Sequence, residues 1–136
     1  MLLAPLLLAA ACSSSPGGHP AGGGKVGGCT AAQAQSAVTV DATSKLRFEP
    51  KHVCVKVGGI VTWKNTTKHL DHTSTDETAL AAVAGDATVP AGGHGWNLRL
   101  PAGHSARLTF RVKGVYHYFC IPHETLGMVG EIVVVG

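Results

Sequence analysis

The sequence predicts an all-β fold, a Greek-key β-sandwich or barrel of about seven to eight strands with one short helix, and three observations lead there. The segments SAVTVDA, HVCVKV, GIVTWKN, SARLTFRV and VYHYFC alternate β-branched or aromatic residues with polar ones at period two. Gly or Pro punctuates their ends, so the strands are short and closely spaced, as in sandwiches and barrels. A chain of 136 residues that is 45% apolar and 14% charged is globular, with a single core.

Taken in order, the chain opens on MLLAPLLLAAAC, an apolar run of the length of a signal-peptide core and too short to span a membrane. It resembles a bacterial lipoprotein signal, with LAAAC in the place of the lipobox and Cys12 as the residue to be lipidated. No Lys or Arg precedes the run, and Ala9 stands where Leu is usual. Residues 1–11 are therefore expected to be a signal segment. Residues 12–28, rich in Ser, Pro and Gly, form a flexible tether, because a stretch with one branched apolar residue buries too little surface to offset its ordering entropy. The folded domain is expected over 29–136.

Within that domain the faces follow from the alternation. In HVCVKV, Val53, Val55 and Val57 point inward while His52, Cys54 and Lys56 point outward; in HSARLTFRV, Ala106, Leu108, Phe110 and Val112 share the core face. The continuous apolar run of GEIVVVG suits a strand covered on both sides, or a sheet edge closed by a neighbour. Trp63 and Trp96 read as core aromatics. Ser74 and Glu77 have capping-box spacing ahead of TALAAVA, and Gly85 follows as a stop, which predicts a short helix from about Glu77 to Ala84; DATVPAGGHGWN is read as loop.

The chemistry sits in YFCIPHETLGMVGEIVVV, where Cys120, His123 and Met128 offer a thiolate, an imidazole and a thioether on the turn between two strands. Two soft sulfur donors with an imidazole select copper over Mg, Ca or Mn, which take oxygen ligands. One ligand is missing, and the candidate is a second histidine, His72 in KHLDHTST. The spacing CxxHxxxxM, with GVYHYF before it and VGEIVV after it, resembles the copper loop of plastocyanins and pseudoazurins, the blue copper proteins called cupredoxins; RFEPKHVCVKVGGIVTWKN and PAGHSARLTFRVKGVYHYFC are similar to their flanking regions. The resemblance covers roughly Leu46 to Val135.

This resemblance implies a type 1 copper site with His72, Cys120, His123 and Met128 as ligands. It prefers His72 to His69, because the family's ligand stands directly before a small polar residue entering a strand, here Thr73. It further implies that the backbone of Thr73 donates to the thiolate, and that His123 lies in an apolar patch. Leu126 and Pro122 would supply contacts there, with Glu124 adding a charge at the rim. Pro122, having no N–H, also removes one possible donor near the sulfur. His19, His52, His94, His104 and His117 read as linker, surface or turn residues.

The expected function is one-electron transfer between Cu(I) and Cu(II) by an exported protein. It would be lipid-anchored on the outer face of a bacterial cytoplasmic membrane, or periplasmic or extracellular, with redox proteins docking near His123 and the chain a monomer. The alternative is a copper-binding or copper-delivery lipoprotein with no shuttle role; a copper-free adhesive sandwich would require the ligand set to be incidental. Catalysis is not expected: a multicopper oxidase or nitrite reductase needs histidines beside the Cys, where this chain has Phe119 and Ile121. One Cys in the loop excludes a dinuclear site, and Met with a lone thiolate disfavours zinc. A net charge of +3 does not indicate nucleic acid. Of four cysteines, Cys12 goes to the anchor and Cys120 to the metal, which leaves Cys29 and Cys54 as a disulfide pair in an oxidising compartment.

Overall fold

A computed structural model describes residues 25–136; the signal segment, Cys12 and most of the tether lie outside the described residues. The domain is an all-β sandwich of eight strands: β1 (Gln35–Ala42), β2 (Phe48–Glu49), β3 (His52–Asn65), β4 (His72–Asp76), β5 (Trp96–Leu100), β6 (Ser105–Phe110), β7 (Gly114–Phe119) and β8 (Val129–Val135). Hydrogen bonding runs in the order β2-β1-β3-β8-β7-β4-β5, with β6 on β3.

The two runs read as separate strands, HVCVKV and GIVTWKN, are one 14-residue strand that changes partner midway. Its first part, His52–Lys56, pairs in parallel with β8, and Gly59–Lys64 pairs antiparallel with β6. Gly58, at φ 81°, makes the break between them, a backbone region that a side chain would disfavour. The break corrects one expectation. Val53 and Val55 are buried, but Val57 is exposed, because pairing with β1 skips from Val55 to Ile60 and the residues between bulge outward.

The main core gathers Val40, Phe48, Val55, Val61, Trp63, Trp96, Leu100, Phe110, Tyr118 and Ile132, with Cys120 and Met128 packed into the same cluster. Its aromatics form a contiguous set, Trp63 against Tyr118 at 5.5 Å and Trp96 against Phe110 at 5.4 Å, both edge to face. The apolar run of β8 is covered on both faces. Ile132 and Val134 enter the main core, while Val133 and Val135 pack in a second cluster with Cys29, Ala34, Cys54 and Val115. A disulfide joins Cys29 to Cys54 over a Cα separation of 5.8 Å, across the outward face of β3. Just before it, Val26 and Cys29 exchange backbone hydrogen bonds, so the last residues assigned to the tether already turn onto the domain.

The segment after β4 differs from the expected helix. Only one 3₁₀ turn forms, Thr78–Leu80, with no side-chain cap. Ser74 does not cap it: this residue is buried inside β4 and accepts a hydrogen bond from Trp96 Nε1 at 2.9 Å. Farther on, the N–H groups of Ala82 and Val83 donate to the Glu124 carboxylate, which competes with helical bonding. The strand β5 also begins inside the stretch read as loop, at Trp96, where cross-strand pairing with Asp76 overrides the Gly-rich local sequence.

Candidate metal centre

Two pieces of chain meet at one end of the sandwich. Cys120 follows β7 in extended conformation and is buried. From there Ile121–Leu126 wind as 3₁₀ turns, with Pro122 in the first turn, where a missing N–H costs nothing. Gly127, at φ 85°, closes the turn in the left-handed conformation that favours glycine. The loop backbone satisfies itself: Cys120 N–H donates to Met128 O at 3.0 Å, His123 N–H to Cys120 O at 3.0 Å and Met128 N–H to His123 O at 3.2 Å. Its three sulfur- and nitrogen-bearing side chains are thereby held on a scaffold of backbone bonds.

The other piece is β4, which lies between β5 and β7 and begins at His72, paired with Leu100. The turn leading into it is fixed by buried Asn65, whose amide donates to Leu70 O at 2.7 Å and to Leu100 O at 2.8 Å while its oxygen accepts from Thr67 N–H at 2.9 Å. Sequence reasoning missed this role, since an Asn at the end of a strand carries no signal of the three groups it will join.

Cys120 Sγ lies 3.6 Å from His72 Nδ1 and 3.4 Å from His123 Nδ1, and the two imidazole nitrogens are 3.2 Å apart. These donor atoms form the one such group among the described residues. Met128 is fully buried in the cluster that contains Cys120. Three lone-pair donors facing one centre, two nitrogen and one sulfur, with a buried thioether in the same cluster, fit a copper ion chemically. His69, the rival to His72, is exposed and outside the group.

The electrostatics favour neutral imidazole and a thiol that a metal would deprotonate. Burial, and next the neighbouring His123, push the His72 pKa down, so the ring stays uncharged and its lone pair free. Burial pushes the Cys120 thiol up, opposed by hydrogen bonds from Thr73. The Thr73 N–H reaches Cys120 Sγ at 3.3 Å, the contact the resemblance implied. Thr73 Oγ1 in turn accepts from Ile121 N–H at 2.9 Å, so one residue of β4 grips both sides of the Cys120–Ile121 peptide.

The remaining expected site residues fall around this centre. Pro122 is exposed, and Leu126 is 67% exposed, the highest value among the exposed large hydrophobic residues. Ile121 and Leu70 are exposed as well, and the His123 ring is half-buried. His52, His94 and His104 are surface residues, while His117 is half-buried between Thr88 and Glu131. Glu124 corrects the expectation of a rim charge: it is 5% exposed, with both carboxylate oxygens turned inward onto the backbone of Ala82 and Val83. Its position beside a ligand in a polar-looking loop gave no hint of this, because nothing local marks which way a 3₁₀ residue faces.

Comparison with known proteins agrees with the geometry. Residues 34–135 match the family described as copper binding proteins, plastocyanin/azurin family. Chloroplastic plastocyanin of Tetradesmus obliquus is 40% identical over 90 residues, which span 65% of this chain and 59% of that protein. Plastocyanin of Scenedesmus fuscus is 38% identical over 89 residues, covering 65% and 87% of the two chains. Among solved structures, a mutant amicyanin in the Cu(I) form superposes with a TM-score of 0.54 at 30% identity, over 76% of this chain and 86% of that one. By these matches and by its donor set, the chain belongs to the plastocyanin/azurin family of copper-binding proteins and takes a single copper ion.

Proposed function

We propose that this protein is a type 1 blue copper electron carrier in which His72, Cys120, His123 and Met128 hold the metal. Bound copper supplies a one-electron couple. The chain's part is to keep the donor geometry unchanged as the charge on the metal changes. Three features support that role: Cys120 continues a paired strand, Thr73 bonds to its sulfur and to the next peptide, and His72 is immobilised inside a sheet. The observation that carries the reading is the convergence of His72 Nδ1, Cys120 Sγ and His123 Nδ1 around a centre backed by a fully buried Met128. Four protein donors, if all bind, would leave no open coordination position for a substrate, which supports a carrier.

Electrons would pass through the half-buried ring of His123, with Leu126, Pro122 and Ile121 as a small apolar contact for a redox protein. A contact of that size suits brief docking. The disulfide supports work outside the reducing cytoplasm. On this reading the chain is an exported monomer, anchored by lipid on Cys12 to the outer face of a bacterial cytoplasmic membrane, or periplasmic or extracellular. Voltammetry of the copper-loaded protein tests the proposal: a reversible one-electron wave is expected, and irreversible redox with ready metal release would point to copper delivery instead.

A further inference from the structure

Resting on that copper reading, we infer that Glu124 is a positioning residue of the centre, whose buried carboxylate latches the copper loop to the segment that follows β4 and so fixes the ring of His123. The residue is the one buried member of the Ile121–Leu126 turns. One of its oxygens accepts from Ala82 N–H at 2.8 Å and the other from Val83 N–H at 2.9 Å. Burying a carboxylate is costly unless it is hydrogen-bonded, and here each oxygen has a backbone donor. The Asp86 carboxyl is pushed up, by burial first and then by Glu124.

Topology gives the latch its effect. The segment holding Ala82 and Val83 is the continuation of β4, the strand that begins with His72. On the inner side β4 grips the copper loop through Thr73, at Cys120 and Ile121. Glu124 ties the loop to the chain beyond β4, at the residue that follows His123. Along the chain His123 therefore lies between two cross-ties, while its own backbone bonds reach within the loop, to Cys120, Gly127 and Met128. A second consequence concerns charge: a fixed anion one residue from a copper ligand favours Cu(II) over Cu(I).

The variant Glu124→Gln keeps the shape, removes the charge and sets an amide N–H₂ against one backbone donor. Since a hydrogen bond to a charged group contributes about 1.5–3 kcal/mol, amide hydrogen exchange at Ala82 and Val83 should accelerate roughly tenfold to a hundredfold. In the copper-loaded variant the reduction potential should rise and electron self-exchange should slow. Glu124→Asp keeps the charge but falls short of the donors, so exchange should accelerate with a smaller rise in potential. The unaltered protein offers a test free of folding effects. If the latch is coupled to His123, copper binding must slow exchange at Ala82 and Val83, because coupling is reciprocal. Equal exchange with and without copper, in a parent that binds copper and turns blue, overturns the latch alone. So does accelerated exchange in Glu124→Gln with potential and self-exchange unmoved. A parent that takes up no copper overturns the function reading instead.

Discussion

The two ligand-bearing regions are built on opposite plans. Strand β4 buries His72, Ser74, Thr75 and Asp76 and is paired on both sides, by β5 and β7. The copper loop exposes Ile121, Pro122, Thr125, Leu126 and Gly127 around a half-buried His123 and draws its order from hydrogen bonds within itself. On the proposed function the pair would combine rigidity with access: the buried histidine would fix the geometry and the accessible one would open a path for the electron. Thr73 ties the first region to the second, and Glu124 ties the second to the chain that follows β4.

The largest effect should come from the residue both regions share. Cys120→Ser replaces the thiolate with a hydroxyl, so the blue absorption of the Cu(II) protein should vanish; an unchanged spectrum would remove Cys120 from the ligand set. Next, His72→Gly and His123→Gly should differ in a way that mirrors burial. Added imidazole should restore the spectrum readily at position 123, where the ring reaches the surface, and poorly at 72, which is 2% exposed. Equal rescue at both would contradict the division between anchor and path. Leu126→Asp should then slow electron exchange while spectrum and potential stay nearly constant, because it alters the contact and leaves the ligands in place. Exchange as fast as the parent's would move the route elsewhere.

The smallest effect probes the far end of β4. Burial pushes the Asp76 carboxyl up to about 7, and Asp76 Oδ2 has no hydrogen-bond partner among the described residues. A carboxyl raised on folding binds its proton more tightly in the folded state, so its favourable contribution is complete below about pH 4 and is lost as pH rises through about 7. Asp76→Asn should therefore melt at a higher temperature than the parent at pH 8, with the gap closing toward pH 4. A gap that is constant with pH would mean that Asp76 does not titrate in this range.

Much of the centre was legible in the sequence, for physical reasons that can be named. Cys120, His123 and Met128 lie within one short loop, so their spacing alone limits the geometry, and alternation in β6 and β7 fixes which side chains face the core. The pairing of Cys29 with Cys54 followed from counting thiols in an oxidising context. What escaped depends on tertiary contacts. The expected helix at Glu77–Ala84 has good local propensity, but Ala82 and Val83 give their N–H groups to a carboxylate some 40 residues away in the chain. Trp96 looked like loop because glycines precede it, whereas its strand is defined by β4. Val57 carried the right alternation, and the bulge that expels it arises from pairing with β1.

Copper titration of the metal-free protein, followed by visible absorption, tests whether the cysteine, histidine and methionine donors form a type 1 copper site. An intense blue band should grow linearly, saturate at a single copper per chain, and bleach and return over cycles of reduction and reoxidation. A pale Cu(II) spectrum without thiolate character, or saturation at more than one equivalent, would contradict it.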